Sequence, residues 1–199
     1  MLLLAASRRE VLVAGLTLLA AAGAQAAPAD PAKFVASIYA NGKVDATWTQ
    51  WLDGAKRGAW FSREVSALWA KCDALAKTSD DKLGPLDFDV ATNSQGMEVK
   101  KFAVKVLSQD ATRATVVATL TPDQWTRASK RENIIRYDLV AEAGRWAIDD
   151  IHGVIEPNPW SLRDLLTAYL KSLALPRKAC SPRRKTFRAC QSLNPPSLT

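Results

Sequence analysis

Between residues 31 and 78 the apolar positions recur at helical spacing, and between 101 and 151 they alternate. Phe34, Val35, Ile38 and Tyr39 make one short apolar face behind Pro31, which a first helical turn tolerates. Asn41-Gly42 interrupts it. Val44, Trp48, Trp51, Leu52 and Ala55 then fall on one side of a second predicted helix. Ser62 is placed as the N-cap of a third, whose stripe is Val65, Leu68, Trp69, Cys72, Leu75 and Ala76. Helical spacing assigns Trp48, Trp51 and Trp69 to a packed core rather than a ligand cage. It gives Cys72 the part of a small buried hydrophobe.

The period then changes to two. Phe102, Val104 and Val106 alternate with Lys101, Ala103 and Lys105, as a half-buried strand requires. Gln109-Asp110 turns the chain into the β-branched run Thr112 to Leu120. After a polar loop around Thr121 to Lys130, Ile135, Tyr137 and Leu139 alternate again. Ala143-Gly144 is a tight turn into Arg145 to Ile151, where Trp146 and Ile148 share a face. A last helix begins at Ser161, with Asp164 as the acidic member of a capping box and Leu162, Leu165, Leu166, Tyr169, Leu170 and Leu173 as its apolar face. Short returns between strands imply an antiparallel sheet. The expected fold class is therefore α+β, with N-terminal helices packed on a curved antiparallel sheet and a closing C-terminal helix.

Both ends of the chain differ from this body. Ser7-Arg8-Arg9, the apolar run Val11 to Ala22 and Ala24-Gln25-Ala26 have the order of a cleavable export signal over residues 1–26. Ser-Arg-Arg-Glu-Val-Leu is similar to the twin-arginine motif, although paired arginines also occur in general secretion signals. The expected location is the periplasm. The apolar run is too short to span a bilayer, and no later stretch is as long. Residues 27–175 suit a single domain, and 176–199 form a basic tail expected to be disordered. The formal charge is +7, of which Arg177, Lys178, Arg183, Arg184, Lys185 and Arg188 carry six and the export signal one. The body is thus electrically balanced. That argues against a basic nucleic-acid face on the domain and leaves weak anionic-surface contact to the tail. Cys180 and Cys190 are a candidate disulfide in an oxidising compartment. With a lone histidine, His152, and no Cys-x-x-Cys, neither metal nor cofactor is expected.

Several pieces, taken in order, resemble a known family. They are Phe34-Val35-x-x-Ile38-Tyr39, Phe61-Ser62 with Leu68-Trp69, and Leu86-Asp87-Phe88-Asp89 with Asn93-x-Gln95. Gly144-x-Trp146-x-Ile148-x-Asp150-Ile151 and Ser161-Leu162-Arg163 complete the set. The chain resembles the exported bacterial family known as domain of unknown function 3828. That resemblance implies the cone-like α+β fold of nuclear transport factor two and ketosteroid isomerase, and assigns no reaction.

Two clusters are candidate sites. In an extended segment Asp87 and Asp89 point to one side while Leu86 and Phe88 point to the other. With Gln95 they would rim the mouth of a cone, with Trp146 and Asp150 on the sheet behind. Asp87, Asp89, Asn93, Gln95 and Glu98 also fall on calcium-loop positions. Thr92, standing where such a loop turns on Gly, argues instead for turn bonds made by the Asx side chains. Asp149, Asp150 and His152 could do general acid/base work. Strict alternation, however, puts Asp149 and Asp150 on opposite faces and Asp150 with Trp146 and Ile148, unless the strand is bulged. No catalytic residue is assigned. The expected role is a non-enzymatic periplasmic domain that binds a small molecule or an envelope protein. The alternative is an isomerase- or hydrolase-type enzyme using a carboxylate or His152.

The order of charges and small residues at the N-terminus predicts cleavage after Ala26. Mass spectrometry of the exported protein should find Ala27 as its first residue; a product retaining residues 1–26 contradicts the assignment.

Overall fold

The computed structural model describes residues 28–40, 44–78, 84–95, 99–122 and 129–174. Among the described residues four helices precede the sheet: α1 (Pro31–Tyr39), α2 (Val44–Leu52), α3 (Gly54–Arg57) and α4 (Arg63–Thr78). The strands β1 (Val99–Gln109), β2 (Arg113–Pro122), β3 (Ile134–Glu142), β4 (Arg145–Ile155) and β5 (Asn158–Ser161) follow, with a 3₁₀ turn at Lys130–Asn133 before β3. Helix α5 (Leu162–Ala174) closes the described chain. The strands form one antiparallel meander in the order β1-β2-β3-β4-β5. The fold class is α+β. Among the described residues no helix is long and apolar enough to cross a membrane. The export signal, the tail and the Cys180–Cys190 pair lie outside the described residues.

Local chemistry accounts for the element ends. Asp30 caps α1 through a 2.9 Å bond from the Ala32 amide, and Pro31 stands in the first turn. Ser62 caps α4, its Oγ accepting from the Val65 amide at 3.2 Å, while the adjacent Phe61 bridges to Ile148 of β4. Ser161 accepts from Asp164 N at 3.1 Å at the start of α5. Ala143 and Gly144 both have positive φ, 50° and 76°, which matches the twist of the β3–β4 hairpin. The second predicted helix breaks in two, because Asp53 leaves α2 and caps α3 by accepting from Ala55 N at 3.0 Å.

The core lies between the helices and one face of the sheet. Val116, Ala118, Ile135, Tyr137, Leu139, Ile148 and Ile151 meet Val35, Ile38, Trp51, Phe61, Val65, Trp69, Cys72, Leu162 and Leu166. Trp51 packs edge-on against Phe61 at 5.0 Å, and Phe61 against Trp69 at 5.5 Å. Arg57 is buried in this aromatic layer at 2 % exposure, with its guanidinium 4.4 Å from the Trp69 ring centre. Its Nε donates to the Trp51 carbonyl at 2.8 Å, Nη2 to Leu52 O at 3.2 Å and Nη1 to the Asp73 carboxylate at 2.9 Å. Trp51 and Leu52 end α2, so the guanidinium caps carbonyls that the helix leaves unpaired.

Trp69 is 1 % exposed and touches Phe61, Trp48 and Arg57. Trp69→Ala should lower unfolding free energy by about 3–5 kcal/mol in urea titrations, the range for truncating a core aromatic. An unchanged midpoint contradicts the packing described.

Candidate functional site

The expected rim is not assembled as one surface. Asp87 and Gln95 are exposed, tied by a 2.9 Å bond from Gln95 Nε2 to the Asp87 carbonyl. Asp89 turns inward and is 7 % exposed. Its Oδ1 accepts from Ala91 N at 2.7 Å and its Oδ2 from Thr92 Oγ1 at 3.0 Å. The segment is a turn rather than an extended strand, so period-two alternation does not govern it. This turn occupies the inner side of the sheet. Tyr39 OH donates to Ala91 O at 2.8 Å, so in the 2.6 Å contact between the two phenols Tyr137 is the donor to Tyr39. Burial holds both phenols far above their usual range and keeps them protonated.

Asn93, at φ 56°, fastens the turn to the sheet. Its Nδ2 donates to Val154 O at 2.7 Å and Glu132 O at 3.1 Å, and its Oδ1 accepts from Trp160 Nε1 at 2.9 Å. Trp160 lies flat on Gly153, where a Cβ would come within 2.5 Å of the indole. Phe88 packs edge-on against it, ring centres 5.1 Å apart. Trp146 is buried elsewhere, near the start of β4, and donates to Ala29 O just before α1. It is an anchor for the beginning of the domain.

Asp150 also departs from the strict alternation. Asp138 pairs with Asp150 and Leu139 with Ile148, so Asp149 is an extra residue on β4. The bulge turns Asp150 away from the face of Ile148 and puts it beside Asp138, Arg136 and His152. Arg163 holds the bulge in place: its Nε donates to Asp149 O at 2.6 Å and its Nη2 to Asp149 Oδ1 at 2.5 Å. Asp150 Oδ1 accepts from the amides of Ile151 at 2.8 Å and Arg163 at 3.1 Å. One Asp150 oxygen therefore organises the bulge and the first turn of α5, while Oδ2 stands 3.6 Å from His152 Nε2.

His152 Nε2 is 2.8 Å from Asp138 Oδ2. A carboxylate only accepts, so Nε2 carries the proton and Nδ1 is the remaining ring nitrogen. Thr115 Oγ1 donates to Asp138 Oδ1 at 3.1 Å, and Arg136 Nη2 lies 3.5 Å from Oδ2. The bond from His152 holds the Asp138 carboxyl below the usual carboxylate range, against the effect of burial.

Beside this cluster the sheet carries an open groove of about 360 Å³. Arg131, Arg136 and His152 supply its ionisable lining; Ile134, Val154, Pro159 and Trp160 supply apolar surface. The acids stand behind the bases: Asp138 and Asp150 on His152, and Glu156 on Arg131 at 3.2 Å. Sequence reading singled out His152 and Asp150 but missed Asp138, Arg131, Arg136 and Trp160. The alternation Ile134-x-Arg136-x-Asp138 was a usable signal for three groups on one face; the register bringing His152 to them was not.

Fold and site together define an α+β domain with a binding-sized groove that draws on β3, β4 and β5 of its sheet. No protein family, curated protein or solved structure matches this chain.

Because the folded state holds Asp138 more acidic than the unfolded state, the carboxylate stabilises the fold above its unfolded value of about 3.9. That contribution is lost as pH falls through the lower folded value. Urea titrations should find wild type more stable than Asp138→Asn above about pH 4, with the two converging as pH drops below it. A difference that persists undiminished in acid contradicts the pairing.

Proposed function

We propose that the chain is exported to the periplasm and serves there as a non-enzymatic domain that binds a small molecule in the groove beside His152. The observation that carries this reading is the groove's composition: apolar surface with a few converging polar groups, as small-ligand sites have. Its walls are fixed. Trp160 is held by Asn93 and Gly153, and His152 by Asp138. Export is supported by the series of paired arginines, apolar run and Ala-x-Ala at the N-terminus. The resemblance to the exported family known as domain of unknown function 3828 agrees with that compartment and remains part of this proposal. An envelope protein is the other partner class; a recess of this size suits a small molecule better.

One observation favours an enzyme as the second reading: an imidazole oriented by a carboxylate stands on the groove wall, as a general base does. A single experiment separates the readings. The purified chain and an Ile134→Glu variant are incubated with a small-molecule extract of the cell envelope, washed by filtration, and the retained compounds identified by mass spectrometry. Ile134 is 39 % exposed, so the substitution places a charge in the groove without touching the core. Compounds held by the wild type and lost from the variant are expected. Equal retention by both, or none by either, contradicts the groove as the site. A retained compound recovered chemically altered turns the reading to the enzyme.

A further inference from the structure

Among the described residues every ionisable side chain lining the groove is basic. Arg131 comes from the 3₁₀ turn, Arg136 from β3 and His152 from β4. The charged groups facing His152 are Asp138 and Arg136 from β3 and Asp150 from its own strand. Across the β4–β5 pairing His152 lies opposite the uncharged Ser161. Glu156 pairs with Arg131 farther along the groove. Both arginines keep much of their side chains in solvent, 67 % and 45 % exposed, although each has a carboxylate neighbour. Their remaining N–H donors are in reach of a ligand, and the guanidinium fork matches a carboxylate. On the same groove Ile134, Val154, Pro159 and Trp160 present an apolar surface that a bare inorganic anion would leave unused.

We infer that the groove takes a small organic anion with an apolar body, and that its capture is coupled to protonation of His152. The inference rests on the groove being the binding site. The coupling follows from the tautomer. With Nε2–H committed to Asp138, a neutral ring offers only the Nδ1 lone pair, which repels a carboxylate. Protonation turns Nδ1 into a donor and adds a positive charge to the wall that carries the two arginines, while Asp138 and Asp150 stabilise the imidazolium from behind. Affinity for an anion is therefore higher with the imidazolium than with the neutral ring.

The probes are phenylacetate, its neutral counterpart phenylacetamide and inorganic phosphate, titrated calorimetrically into the purified chain at pH 5.5 and pH 8. Phenylacetate should bind at least tenfold more tightly than either other probe at the lower pH, and weaken about tenfold at the higher, as the loss of one charge-assisted contact worth about 1.4 kcal/mol gives. His152→Gln should remove the pH dependence while leaving the weaker, high-pH affinity. Arg136→Gln should remove the preference for the acid over the amide.

Equal binding of acid and amide overturns the anionic class but leaves the groove as a binding site. Phosphate binding as well as phenylacetate overturns the need for an apolar body. A pH dependence unchanged in His152→Gln overturns the proton coupling. If no probe binds, the inference fails, whereas the groove itself fails if the wild type and Ile134→Glu retain envelope compounds equally or if neither retains any.

Discussion

The extra residue at Asp149 decides which side of the sheet each side chain beyond it on β4 faces. Before the bulge Trp146 and Ile148 point into the core, and after it Ile151 does so again, although strict alternation from Ile148 would turn Ile151 outward. The same shift brings Asp150 and His152 to the open face. Without it the imidazole would enter the apolar layer and lose its carboxylate partners, an arrangement costly for a polar group. Arg163 fixes the bulge by binding Asp149 through both backbone and side chain, and Asp150 in turn binds the Arg163 amide. The irregular strand and the start of α5 therefore hold each other, and neither the core register nor the groove is independent of that contact.

A second fixed point is Arg57. A guanidinium at 2 % exposure is sustained only if its donors are occupied, and here they meet two carbonyls at the end of α2 and a carboxylate on α4. The flat cation also lies over Trp69, within the layer formed by Trp51, Phe61 and Trp48. It joins three helices at the place where α2 breaks. From there Ser62 N donates to Ile148 O at 2.8 Å and Ile148 N to Trp60 O at 2.8 Å, carrying the connection to β4 just before the bulge.

These two features also mark where sequence reading succeeds and stops. Stripes at helical spacing located α1 and α4, Ser62 and Ser161 marked helix starts, and Ala143-Gly144 marked the hairpin, because each is a local consequence of backbone chemistry. The α+β class followed from the single change of period. The break at Asp53 was hidden, since an apolar stripe continues across it while the capping carboxylate is one polar residue among several. Strand β5 was hidden because Asn158-Pro-Trp-Ser has no alternation to read. Asp89 was read as outward because its neighbours alternate, but an Asx side chain that bonds its own turn overrides that period. The only trace of the bulge in the hydrophobic pattern is the three-residue step from Ile148 to Ile151; the bulge is held by Arg163, a residue from another element, so the register that brings Asp138 to His152 could not be placed.

The turn from Asp89 to Asn93 serves both the interior and the groove. On the inner side of the sheet the turn from Asp89 to Asn93 lies over Tyr137, its backbone bonded to the phenol pair. The groove's lining includes residues fastened to that same turn, because Asn93 accepts from the Trp160 indole and donates to the Val154 carbonyl. Closing the interior thus stiffens the groove. Trp160 has little freedom with Gly153 beneath it, Phe88 beside it and Asn93 at its N–H. A wall held in this way loses little conformational entropy when a ligand settles on it, which lets a shallow recess bind without first having to order itself.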